Sequence, residues 1–96
     1  MKYLIPEIME AVVAQISDRE FDSHTVIREL MRRHPQAYVR ELYEHRENED
    51  PIHVTHAQIG RILTQLKSIK KLNRVDSPNV RSQDLGGTEN QRWERI

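Results

Sequence analysis

Apolar residues in the first half of the chain recur at helical spacing. Ile5, Ile8, Met9, Val12, Val13 and Ile16 fall at i, i+3, i+4, i+7, i+8 and i+11, one stripe of an amphipathic helix over 4–19. Pro6 sits in its first turn, where the missing N–H is no loss. Phe21-Asp22-Ser23 then breaks the pattern. Asp22 or Ser23 suits the N-cap of a second helix, with Phe21 placed before it as a hydrophobic staple. Val26, Ile27, Leu30 and Met31 supply the apolar face of that helix, 24–34. Pro35 ends it, because the residue before a proline avoids the helical region. Pro35 also suits the opening of a third helix, about 36–45, with Tyr38, Val39, Leu42 and Tyr43 as its apolar side. One helix kinked at Pro35 is the alternative.

Arg46-Glu47-Asn48-Glu49-Asp50-Pro51 has no apolar residue and reads as a solvated loop. Ile52-His53-Val54 alternates, as a very short strand or the approach to a helix. Thr55-His56-Ala57-Gln58 fits a capping box, in which Thr and the Gln three residues on satisfy each other's backbone donors. Ile59, Ile62, Leu63, Leu66 and Ile69 then share a face, predicting a helix over 55–69. Leu72–Val75 is short enough for a strand, and 76–90 is rich in turn residues. Gln91–Ile96 is a second short run around Trp93. Two short strands around a polar loop predict a hairpin, Leu72–Val75 against Gln91–Arg95.

HVTHAQIGRILTQLKSIKKLNRV followed by NQRWERI, after two helices, resembles the winged-helix DNA-binding domain, small phage or mobile-element type. The resemblance covers about residues 21–96. It implies a mainly α fold with a small β-hairpin. Helices 24–34, 36–45 and 55–69 would form a three-helix core, and residues 1–20 an added N-terminal amphipathic helix. It further implies a small transcriptional regulator that binds double-stranded DNA. Helix 55–69 would enter the major groove, and the 76–90 wing would lie against the backbone or minor groove.

The residues themselves bear on that expectation. At 100° per residue, Ala57, Arg61, Thr64, Gln65 and Ser68 lie opposite Ile59, Ile62, Leu63 and Leu66, with Gln58 at the margin. Arg, Gln and Thr are residue types that read base edges, and no acid on this face repels phosphate. Ala57, Gln58, Arg61, Thr64 and Gln65 are the candidate base contacts. Lys67, Lys70, Lys71, Arg74 and Arg81 are the candidate phosphate and wing contacts. Net charge is zero but uneven: residues 1–50 carry −4 and residues 51–96 carry +4, a hint of a polyanion-binding face. Arg28, Arg32 and Arg33 suit surface ion pairing, with Glu29 one turn before Arg33.

Composition excludes more than it selects. No apolar run reaches membrane-spanning length, and Glu7 and Glu10 interrupt what would be a signal-peptide core. Without cysteine, a reducing cytoplasmic setting is the default expectation. Three glycines leave no room for a phosphate-cradling loop. No nucleophile–base pairing stands at recognisable spacing, so no enzyme and no cofactor are expected. His53 and His56 are three apart, with His45 and Glu49 upstream, but nothing completes a metal site. The stripe Ile5, Ile8, Met9, Val12, Val13 and Ile16 either packs on the core or also pairs with its copy in a homodimer. A protein-interaction module, an adaptor or an inhibitor of a host factor, is the alternative to DNA binding. Acidic neighbours cancelling the basic face would favour it.

Overall fold

The computed structural model describes residues 2–72, 80–81 and 89–96. Along the chain run α1 (Pro6–Gln15), β1 (Glu20–Asp22), α2 (Ser23–Arg33), α3 (Pro35–Glu44) and α4 (Pro51–Leu63). The strands β2 (Ile69–Lys71), β3 (Val80–Arg81), β4 (Glu89–Asn90) and β5 (Arg92–Arg95) follow. The fold is mainly helical, with a three-stranded antiparallel sheet in the order β1-β5-β2 and a two-stranded β3-β4 extension. None of these helices is long and apolar enough to cross a membrane.

Local signals account for α2 and α3. The Asp22 carboxylate caps α2, accepting from the Thr25 N–H at 2.8 Å. Pro35 opens α3, so the two helices are separate and meet at His34. The stripe of α1 is shorter than its periodicity. Ile16 leaves the helix with extended backbone and turns into the core. Its carbonyl accepts from the Arg95 guanidinium, and the Arg19 carbonyl accepts from the Arg95 N–H at 2.8 Å. Pairing with β5 therefore wins over continued helix in 16–19.

The start of α4 differs from the expectation of Thr55. Asp50 is the N-cap, accepting from the His53 N–H at 3.1 Å, and Pro51 occupies the first turn. Asp followed by Pro combines a good cap with a pre-set φ, and Ile52-His53-Val54 becomes helix. Thr55 is thus mid-helix and fully buried, and its hydroxyl has no hydrogen-bond partner among the described residues. The capping box with Gln58 does not form. The helix also ends earlier, at Leu63 rather than 69. Leu66 and Ile69 still reach the core, from a turn and from β2 respectively.

The first strand of the hairpin begins three residues earlier than expected, and residues 73–75 of the expected strand lie outside the described residues. That first strand is Ile69–Lys71, with Ile69 opposite Arg95, Lys70 opposite Glu94 and Lys71 opposite Trp93. Leu72 follows, buried, its N–H donating to the Arg92 carbonyl at 3.0 Å. The strand β1 was not legible as such. It sets Phe21 opposite Trp93 on the other side of β5. Trp93, at 2% exposure, donates its indole N–H to the Ser23 hydroxyl at 2.8 Å. Ser23 in turn donates to the Gln91 carbonyl at 3.2 Å.

One core joins the four helices with β1, β2 and β5. Leu4, Met9, Val12, Val13 and Ile16 cluster with Phe21, Val26, Ile27, Leu30, Tyr38, Ile59, Leu63 and Trp93. The core is therefore continuous across residue 20, the expected boundary between an added helix and the rest. Helix α2 packs against α1, α3 and α4. Buried Glu41 ties down the N-terminal segment, accepting from the Tyr3 N–H and from the Leu4 N–H at 3.0 Å.

Two expectations follow. Asp50→Ala should cost about 1 kcal/mol, the worth of an N-cap. Thr55→Val should leave stability unchanged or raise it, since it removes an unpaired buried hydroxyl. Urea denaturation of both variants checks this, and the reverse ranking would restore the Thr55 start. Separately, Trp93→Ala should cost roughly 3–5 kcal/mol. Emission from the single Trp should be blue-shifted in the folded chain and move red on unfolding.

Candidate nucleic-acid interface

The phase of α4 decides which side chains face outward, and it is set by Ile59, Ile62 and Leu63, all buried. Moving the helix start from 55 to 51 leaves that phase unchanged. Arg61 is therefore exposed, Ala57 and Gln58 are half-buried on the outward side and its margin, and Thr64 and Gln65 follow exposed in the turn after Leu63. Thr64 caps the end, its hydroxyl donating to the Arg61 carbonyl. Arg61 lies in the last turn, where the helix dipole also favours a cation. Among the described residues, Arg61 has no ion-pair partner. Gly60 is on the same side, and a Cβ added there would meet nothing within 4 Å.

The earlier start brings residues to this surface that the capping-box reading left out. His53 and Val54, half-buried, lie one turn N-terminal of Ala57 on the outward side. The Asp50-Pro51 pair was the signal for them. Helix N-terminal residues are the ones a groove-bound helix presents to base edges.

The basic residues divide. Lys67 is exposed in the bend before β2, and Lys71 is exposed on that edge strand. Neither lies in the last turn of α4, so helix-dipole compensation does not account for them. Lys70 is exposed but turned to Glu94 across the strands, Nζ to Oε1 3.3 Å. Glu94 also faces Arg19 at 3.6 Å, and Arg92 stands 3.9 Å from Glu20. The outer face of the sheet is thus a mixed-charge surface, its pairs worth well under about 1 kcal/mol each. Ser68 is half-buried and donates to the Glu10 carboxylate, which ties the bend to α1. Arg74, and the wing residues 76–79 and 82–88, lie outside the described residues. Arg81 belongs to β3, opposite Glu89. Of the three arginines of α2 expected to pair, Arg32 and Arg33 both hold Glu29 at 2.9 Å. Their hydrogen bonds, first from Arg33 and then from Arg32, lower the Glu29 pKa.

The expected self-association stripe is mostly consumed inside the chain. Met9, Val12 and Val13 are fully buried and Ile16 nearly so, which leaves Ile5 at 38% exposure and Ile8 half-buried.

Histidine placement argues against a shared ligand role. His56 is buried and shares a 2.7 Å hydrogen bond with the Tyr38 hydroxyl, whereas His53, one turn before it, is half-buried at the edge of the outward side. Among the described residues, no group of three or more His, Cys, Asp or Glu is placed to hold a metal ion. Among the described residues, a shallow surface cavity of about 280 Å³ is lined by Arg33–Ala37 at the α2–α3 corner.

Burial raises the Tyr38 pKa above its ordinary 10.0. A raised value in the folded state means that the neutral phenol is favoured by folding. This contribution is complete below about pH 10, the unfolded value, and is lost as pH rises through the folded one. Tyr38→Phe should be the less stable protein near neutrality, having lost the bond to His56. It should also lose less stability than wild type on going to strongly alkaline pH, read by thermal melts across that range. No protein family, curated protein or solved structure matches the chain.

Proposed function

We propose that this chain is a small winged-helix protein that binds double-stranded DNA and regulates transcription. In this reading α4 enters the major groove and the hairpin beyond β2 lies against the backbone or minor groove. Ala57, Gln58, Arg61, Thr64 and Gln65 read bases, with His53 added at the N-terminal end. Lys67 and Lys71 hold phosphates. Lys70 contributes less, because Glu94 already faces it. Arg74 and Arg81 remain the wing's phosphate candidates.

One observation carries the reading. The stretch from α4 into β2 brings no acid of its own: residues 51–75 contain no Asp or Glu, in a chain with 15 of them, and the acids that reach it, Glu10 at Ser68 and Glu94 at Lys70, come from other elements. A solvated helix face ordinarily mixes Glu with Lys. The layout supports it further. A helix connected by six residues to the one before it runs through a bend into an antiparallel hairpin closed by Trp93. The mixed charge on the outer sheet face favours the protein-interaction alternative there, but it does not extend to the outward side of α4.

Retention on duplex DNA over a salt series tests the proposal, and its parts should fail differently. Arg61→Ala should relax sequence preference and cost roughly 1–3 kcal/mol of binding. Lys71→Ala should weaken all sequences alike and flatten the salt slope by about one. Glu94→Gln should do the opposite of Lys71→Ala, by releasing Lys70. Absence of retention even at low salt, where electrostatic binding is strongest, would leave the protein-interaction module as the reading.

A further inference from the structure

A helix that reads a partner has to be presented at a fixed angle, and much of what holds α4 carries no direction. Ile59, Ile62 and Leu63 are buried on its inward side, but apolar burial is non-directional. The link from α3 does not orient the helix either. Residues 46–50 are exposed, and their bonds run back to the end of α3: the Arg46 N–H donates to the Tyr43 carbonyl and the Asn48 N–H to the His45 carbonyl. The C-terminal end is better held. The bend after α4 is tied to α1 through Ser68 and Glu10, and β2 pairs with β5. The N-terminal half, which a groove-bound helix presents to base edges, has a directional contact of its own. His56, 1% exposed, shares a 2.7 Å hydrogen bond between its Nε2 and the Tyr38 hydroxyl of α3.

Tyr38 is itself fixed. It is buried, and one turn further along the inward side of α3, Glu41 holds the backbone of Tyr3 and Leu4. Helix α3 is thereby pinned to the N-terminal segment by Glu41 and to α4 by Tyr38.

We propose that Tyr38 and His56 are positioning residues for α4. Their bond sets the rotation and register of the helix, and so the angle at which Arg61 and its neighbours are presented. A hydrogen bond weakens steeply when it is bent or stretched. It therefore holds α4 in one setting where apolar contacts accept several. Fixing register is the best-attested use of a buried polar group in helix packing. The effect on binding rests on the DNA reading above, whereas the setting of α4 does not.

The test separates setting from stability. Tyr38→Phe removes the bond and should lower the melting temperature. In Tyr38→Phe/His56→Leu both partners are apolar, which should return much of the lost stability but no direction. In the free double variant, relaxation dispersion should show the amides of residues 60–63 exchanging between settings, which wild type does not show. The DNA probe is a duplex selected by the wild-type chain from a random-sequence pool. For it the double variant should lose roughly two- to thirtyfold in affinity, the scale of substitutions that act without touching the ligand. The salt slope should stay unchanged, because Lys67 and Lys71 are untouched. His56→Gln, whose side-chain amide can still meet the Tyr38 hydroxyl, should bind closer to wild type than the double variant does. A double variant with quiet amides and wild-type affinity overturns the proposal. So does a loss of affinity that follows the melting temperature from variant to variant, the mark of a purely structural pair. A wild-type chain that binds no duplex removes the DNA reading, and amide exchange in the free double variant then decides the setting of α4 alone.

Discussion

Strand β5 is the closure on which the other elements depend. It is the central strand, paired with β1 on one side and β2 on the other, so it joins the segment at residue 20 to the segments at 70 and 93. Its one inward aromatic, Trp93, is buried against Phe21 and tied to Ser23, the first residue of α2. Arg95, two residues on and on the same face, takes the Ile16 carbonyl at the end of α1 with its guanidinium and the Arg19 carbonyl before β1 with its N–H. Four short contacts thus hold α1, α2 and the hairpin in one frame. Burial of large aromatic area offsets the chain entropy that such a long-range closure costs.

That frame explains why α4 presents the side it does. With α1, α2 and α3 packed on it, Thr55, His56, Ile59, Ile62 and Leu63 are consumed inward. What is left outward beyond half-buried His53 and Val54 is small, polar or basic: Ala57, Gly60, Arg61 and Thr64. A mid-helix glycine is unfavourable relative to alanine, and among the described residues nothing lies within 4 Å of a Cβ added at Gly60. A bare backbone there suits the close approach that the proposed reading asks of this side. The lysines beyond it are graded by their neighbours. Glu94 draws Lys70 onto the sheet, while Lys67 and Lys71 stay in solvent.

Much of this was legible in the sequence because it is local. The cap at Asp22, the helix start at Pro35 and the phase of α4 follow from spacing and residue type. So does the burial of Trp93, the only large apolar residue of its run apart from the terminal Ile96. The errors have specific causes. Asp50-Pro51 reads as loop and Thr55 as a cap in the sequence, because the burial that places Thr55 inside the helix comes from tertiary packing that local spacing does not carry. Ile69 kept helical spacing from Leu66 and read as helix, although a strand buries it equally well. Strand β1 has a single inward residue, Phe21, too little for period-two alternation to register. Val39 and Tyr43 read as core because periodicity is blind to Glu41. Its role is set by backbone N–H groups 37 and 38 residues away.

Amide chemical-shift mapping of the full chain with a short duplex at low salt most directly tests the central claim that α4 presents a nucleic-acid surface. Perturbations gathered on His53, Ala57, Gln58, Arg61, Thr64, Gln65, Lys67 and Lys71, with Val39 and Tyr43 unmoved, are the predicted result. No perturbation, or perturbation confined to α3 or the outer sheet face, would contradict it.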